Sequence, residues 1–231
     1  PLPPFRNLPK GYRYVVKEDD KFTSRDFCKE FHYTHTCPPI RYCWFLIEPL
    51  SRRVDGVVTF SQPVSYTLCD GVCGKEYRKH VIELSRLVVH PYAPYRRNVA
   101  SFLVSRALKE LGKLNGPDSG FIVVSYADCN ERGGHTGTVY QACNFIYTGQ
   151  GNAEPIWRHP LTGEVISYHR RHVDKKAARL GFHKRDLVQQ PQEGKHRYVT
   201  FTGNKRFTKK ARRALRYPVM DPPNGPTRRH E

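Results

Sequence analysis

The sequence is poor in the features that mark membrane, acidic or disulfide-knit proteins. No apolar run is long enough to span a bilayer, and the opening stretch PLPPFRNLPK lacks the apolar segment of a signal peptide. These absences predict a soluble, cytoplasmic protein. Acidic residues are scarce: 21 Asp and Glu stand against 39 Lys and Arg, a net charge of +18. Folding requires no such excess, so a polyanion is the expected partner. Nucleic acid comes before an anionic membrane, because no basic helix with a broad apolar face can be read. A merely soluble basic protein is the plain alternative. Cysteines number seven, an odd count in a chain of 231 residues, which argues for reduced thiols rather than a disulfide framework. Cys69 and Cys73, in CDGVC, lack the second pair that a zinc knuckle needs. Internal repeats are absent.

What is there suffices for one α/β domain with its own core, at 38% hydrophobic residues. YRYVV (12–16) suits a first strand, and Thr23 or Ser24 can cap a helix through SRDFCKEFH that stops before Cys37-Pro38-Pro39. IRYCWFLIE (40–48) and VDGVVTFSQ (54–62), separated by PLSRR, read as a hairpin. Residues 63–80 read as an irregular loop and HVIELSRLVVH (80–90) as a buried strand. NVASFLVSRALKELGKL (98–114) is the clearest helix: Val99, Phe102, Leu103, Ala107, Leu108 and Leu111 share a stripe, and Asn98 suits a cap. FIVVSYAD (121–128) has the unbroken apolar character of a buried strand. GGHTGTVYQACNF (133–145) reads as a glycine turn and short helix, followed by the strand FIYTG. Residues 150–195 are polar, basic and turn-rich, an insertion before the strand HRYVTFTG (196–203) and the basic helix KRFTKKARRALRY (205–217). The expectation is a single domain over 1–217 with a mobile tail at 218–231. Alternating strands and helices predict a mixed sheet with helices on its faces, and ligands at the carboxyl ends of strands.

FHYTHT (31–36), GVVTFSQP (56–63), ELSRLVVHPYAP (83–94), SYADCNERGGHTGTVYQACNFIYTG (125–149) and HRYVTFTGNKRF (196–207) occur together in this order. In these segments the chain resembles the phage Mom proteins. That family is similar to GNAT acyltransferases and converts adenine in phage DNA to N6-carbamoylmethyladenine, shielding the DNA from host restriction nucleases. The resemblance implies a GNAT-like α/β (α+β) fold: a mixed central sheet flanked by helices, with a basic C-terminal insertion and helix. It also implies a transferase that acts on double-stranded DNA with a small-molecule donor, in the host-cell cytoplasm during phage infection. GNAT enzymes cradle an acyl-CoA pyrophosphate on a Q/R-x-x-G-x-G/A turn that opens the long helix. Here that position reads PYRRNVAS: Tyr95, Asn98 and Ala100 fit the spacing, without the lead Gln/Arg or the first glycine. An acyl-CoA-type donor therefore meets a degraded turn, with Arg96 and Arg97 beside the helix opening.

Within this frame, His32 and Tyr33 supply an imidazole and a phenol for proton transfer at a helix end. The bland alternative is a histidine favoured by the helix dipole. Asp128, ending an apolar strand, can hold a base or accept the N6 proton; otherwise it forms an Asx turn. Ser125 and Tyr126 point to opposite faces, so at most one lines the site directly. Arg86 inside a strand needs a carboxylate or a ligand phosphate, and Glu83 reaches the same face only if the strand is bulged. With Arg86, Arg96, Arg97 and Asn98, the turn residues His135 and Thr136 complete the expected donor-binding set. Basic runs at 168–185 and 205–216 are expected to meet phosphates, through Arg170, Arg171, Lys175, Lys205, Arg206, Lys209, Arg212 and Arg213. Adenine N6 takes part in base pairing, so the base must be extruded and received by aromatic side chains: Tyr33, Tyr66, Tyr126 or Trp157. A minority reading makes His32, Tyr33 and Asp128 an N/O metal site suited to iron. The rival functions are an ordinary GNAT acyltransferase on a protein or small amine, and a noncatalytic DNA-binding protein.

Overall fold

The apolar runs build seven strands: β1 (Arg13–Val16), β2 (Tyr42–Ile47), β3 (Val54–Ser61), β4 (Val81–Val89), β5 (Gly120–Ala127), β6 (Ile146–Gln150) and β10 (His196–Gly203). The computed structural model, which describes residues 13–16, 21–47, 52–91, 98–114, 116, 119–130, 134–168 and 170–223, joins them in one sheet of order β1-β2-β3-β4-β5-β10-β6. Every neighbouring pair is antiparallel except β4 and β5. The parallel pair needs a crossover, which α3 (Val99–Leu111) supplies. The expected mixed sheet flanked by helices is therefore present.

Each face of the sheet carries its own core. On one face Leu103, Ala107 and Leu111 of α3 meet Trp44, Val58, Phe60 and Phe121. On the other, Phe27 and Cys28 of α1 (Lys21–Phe31) cover Phe45, Val57 and Val88. Beside them α2 (Tyr66–Cys73) and α6 (Lys205–Arg213) bury Cys69, Val72, Phe207 and Ala211 against Ile122, Val124 and Val199. All seven cysteines are free thiols, and among the described residues no helix is long and apolar enough to cross a membrane.

Four expectations need correction. Residues 63–80 are not a loop but α2 followed by a 3-10 turn, Lys75–His80. The Ser65 hydroxyl accepts from the Leu68 amide at 3.2 Å, and Cys69, Val72 and Cys73 form a buried stripe at helical spacing. The turn-rich insertion also has regular structure: β7 (Ile156–Arg158), β8 (Val165–Ser167) and β9 (Val188–Gln190) make an antiparallel sheet of order β8-β7-β9. With α5 (Arg170–Arg179) it encloses Trp157, Ile166, Val173, Ala177 and Leu187. Asn98 does precede α3, but in a left-handed conformation (φ 68°) without a side-chain cap bond. Finally, the expected mobile tail is attached at its start, where the Met220 amide donates to the Tyr147 carbonyl at 3.0 Å; residues 224–231 lie outside the described residues.

Candidate active site

The site begins with a backbone irregularity. Arg86 of β4 faces Thr59 of β3 while Leu84 faces Phe60, so Ser85 is the extra residue of a bulge. Its hydroxyl is held by Thr59 Oγ1 at 3.0 Å and Ser61 Oγ at 2.7 Å. Bulges bend the strand that carries them. Parallel pairing of β4 with β5 accordingly ends at Leu84↔Ser125, while β4 runs on to Val89 along β3 and β5 to Ala127 along β10. Ser125 secures the fork, its hydroxyl donating to the Leu84 carbonyl at 3.2 Å.

A cavity of about 880 Å³ lies at this fork. It is lined from both faces of the sheet: by Glu83 and Tyr126 on the face that α1 and α6 cover, and by Leu87, Val89 and Ala100 on the face of α3. The bulge also turns Arg86 onto the face of Glu83, the exception that strict alternation excludes. Arg86 is fastened by Nε to the Thr36 carbonyl at 2.7 Å and by Nη2 to Thr36 Oγ1 at 3.0 Å, so it ties the loop after α1 to β4.

Three of the residues named from sequence meet here. His32 and Tyr33 leave the end of α1 with their rings stacked at 4.3 Å, and Tyr33 meets the edge of His135 at 6.5 Å. All three line the cavity. The Thr34 amide donates to His32 Nδ1 at 3.1 Å, and Thr34 Oγ1 lies 2.7 Å from the same nitrogen. An amide can only donate, so Nδ1 is the acceptor and neutral His32 carries its hydrogen on Nε2. The turn carrying His135 is fixed by Gly137 (φ 86°), where a Cβ would collide with the Tyr198 ring. Thr136 stands behind the turn, its carbonyl accepting from the Tyr198 hydroxyl.

Asp128 does not line the cavity; it acts on it through Lys195, which does. Its Oδ2 lies 3.0 Å from Lys195 Nζ, and its Oδ1 accepts from the amide and side chain of Asn130, both at 3.2 Å. Burial pushes this carboxyl upward, but the Lys195 ammonium and the Asn130 donors outweigh it and hold it below the usual carboxylate range. This is the Asx turn that the sequence offered as the alternative.

Glu83 is the residue that sequence reasoning missed as a functional group. Among the described residues its carboxylate has no hydrogen-bond or ion-pair partner. Burial pushes it above the usual range, with Arg86 and Lys195 pulling weakly the other way. Its one visible signal was a carboxylate inside an apolar strand, an expensive placement without a purpose. Tyr140 and Tyr168 also line the cavity, and burial pushes the Tyr140 phenol up to about 12.

Of the aromatic residues expected to receive a base, Tyr33 and Tyr126 line the cavity. Trp157 does not: it is buried inside the insertion. Tyr66 is exposed on α2 under the Arg78 guanidinium, 5.0 Å from its ring. Arg170, Lys175, Lys205, Arg206, Lys209, Arg212 and Arg213 are all exposed. Arg96 and Arg97 lie outside the described residues, as does the side chain of Arg171. Among the described residues no group of three or more His, Cys, Asp or Glu could hold a metal ion.

The family model described as the Mom protein family matches residues 13–223. No curated protein gives a match. Among solved structures the chain is similar to an N-acetyltransferase from Staphylococcus aureus Mu50, with 12% identity, 81% of this chain and 97% of that one covered, and a TM-score of 0.42. The family match takes in nearly the whole of the 231 residues, and the chain belongs to the Mom protein family.

Proposed function

We propose that this protein is a transferase that modifies adenine at N6 in double-stranded DNA, giving N6-carbamoylmethyladenine and protecting the DNA from restriction. Membership of the Mom family supports a phage DNA-modification protein with DNA as substrate. The observation that carries the chemistry is Glu83, a half-buried carboxylate without a hydrogen-bond or ion-pair partner among the described residues, at a cavity lined from both faces of the sheet. A cavity of about 880 Å³ with walls from both faces has room for two reactants that meet at the fork, an extruded base and a small donor. Tyr33 and Tyr126 offer aromatic surface to the base.

In the proposed step the N6 lone pair forms a bond to the methylene carbon of an activated carbamoylmethyl donor. The leaving group departs with its bonding electrons, and the proton lost from N6 passes to the Glu83 carboxylate. A base whose affinity for protons is raised by burial suits this task. His32, with its hydrogen on Nε2, serves as a donor that orients a substrate. Asp128 positions Lys195, and Ser125 holds the fork open.

Nucleoside mass analysis of plasmid DNA from cells that express the protein tests this reading. The expected product is a deoxyadenosine heavier by one carbamoylmethyl group, absent when Glu83→Gln is expressed to the same level. Unmodified adenine with the wild-type protein would overturn it, and a different mass increment would keep the DNA substrate and discard the transferred group.

A further inference from the structure

The insertion between β6 and β10 contributes a wall of the cavity: Ser167, Tyr168, His172 and Lys176, with Lys195 where the chain returns. Helix α5 is held in rotation by Val173 and Ala177, both fully buried in the core of the insertion. One residue back from each stand His172 and Lys176, four apart and on one face. They are exposed and yet line the cavity, so they stand at its mouth. Neighbouring cations are engaged: Lys195 with Asp128 at 3.0 Å and Lys184 with Asp174 at 3.8 Å. Among the described residues neither His172 nor Lys176 has an acidic or hydrogen-bonding partner.

We propose that His172 and Lys176 hold the phosphodiester beside the extruded nucleotide, while the exposed cations of α6 hold phosphates further along the duplex. This rests on the DNA-modification reading above and adds a division of labour to it. Two donor groups on one helix face at the mouth of a cavity that can admit a base fit a phosphate whose base points inward. Three further cations of α5, Arg170, Lys175 and Arg179, are exposed. Several exposed cations on one helix suit a polymer better than a single free phosphate. Phosphate contacts of this kind fix register and orientation, so the pair should govern extrusion more than overall affinity.

A short duplex with 2-aminopurine in place of one adenine separates these effects. Anisotropy reports binding, and 2-aminopurine fluorescence at saturation reports extrusion. His172→Ala with Lys176→Ala should lower the extrusion signal about tenfold. Lys209→Gln with Arg212→Gln and Arg213→Gln should weaken binding and leave the saturated signal intact. A neutral methylphosphonate beside the 2-aminopurine should reproduce the α5 effect and add nothing to the α5 variant. Additive losses, or an unchanged signal, would overturn the proposal while duplex binding still upholds a DNA substrate. If the α5 variant instead abolishes coenzyme A binding and spares the fluorescence, the phosphate belongs to the donor. Failure of the wild-type protein to bind duplex at all would overturn both readings.

Discussion

Glu83 costs the fold what it gives the site. A carboxylate whose folded pKa is raised binds its proton more tightly in the native state than in the unfolded one. Stability therefore falls as pH rises from the ordinary carboxylate value through the raised one. Glu83→Gln is expected to raise the melting temperature at neutral pH, with the gain shrinking at acid pH, and to lower the modification rate by about 10² or more. Thermal denaturation across pH and the nucleoside assay check the two halves; a wild-type rate in the variant would remove Glu83 from catalysis. Cys37 offers a second titration close by. A hydrogen bond from Cys28 and the charge of Arg86 push its thiol down to about 7, while Cys28 moves up. Its alkylation by iodoacetamide is expected to rise through about that pH, and Arg86→Ala to move the midpoint upward. His32, Tyr33 and His135 are legible through the family segments that carry them; read locally, each fits a helix end or a glycine turn and no more. Glu83 is not legible, because period-two alternation sets it opposite Arg86 and only a bulge, which depends on β3, reverses that.

At the scale of elements, caps decide where helices begin. Asn204 Oδ1 accepts from the Phe207 amide at 2.7 Å, so Asn204→Ala should cost about 1 kcal/mol. For a chain of this size that is a fall of about 2–4 °C in melting temperature, measurable by calorimetry. On α6 the same amphipathic logic buries Phe207 and Ala211 and leaves Lys205, Arg206, Lys209, Arg212 and Arg213 exposed. If those residues meet phosphates, log affinity for duplex falls with log salt, and replacing three of them by Gln reduces the slope by roughly 0.9 per lost contact. A slope that does not change would move the DNA track away from α6. The strongly periodic α3 and α6 are legible in the sequence, whereas α2 reads as a loop. Its glycine and paired cysteines look like turn chemistry until Cys69, Val72 and Cys73 find Ile122, Val124 and Val199 to pack against.

At the scale of the molecule, the insertion is an added unit that completes the site. Gln150 at the end of β6 faces His196 at the start of β10 in an antiparallel pair, so a tight turn can replace residues 151–195. Trp157, Ile166, Val173, Ala177 and Leu187 form a cluster separate from those of the main sheet. The shortened protein is therefore expected to retain cooperative thermal unfolding and to lose DNA modification, because Tyr168, Lys176 and Lys195 leave the cavity wall. Loss of cooperative unfolding would show instead that the main sheet depends on the insertion for its stability.

By itself the sequence determined the basic character, the main strands, the long helices, and the family segments that carry His32, Tyr33 and Asp128. Each of these depends on composition or on patterns within a few turns of chain. Tertiary structure alone decided which groups share a cavity. Glu83 joins Arg86 because a neighbouring strand forces a bulge. Asp128 is drawn to Lys195, which arrives from the far end of the insertion. His172 and Lys176 reach the mouth because a separate core sets the rotation of α5. Burial and charge pairing are properties of neighbours in space, and those neighbours exist only once the chain has closed on itself.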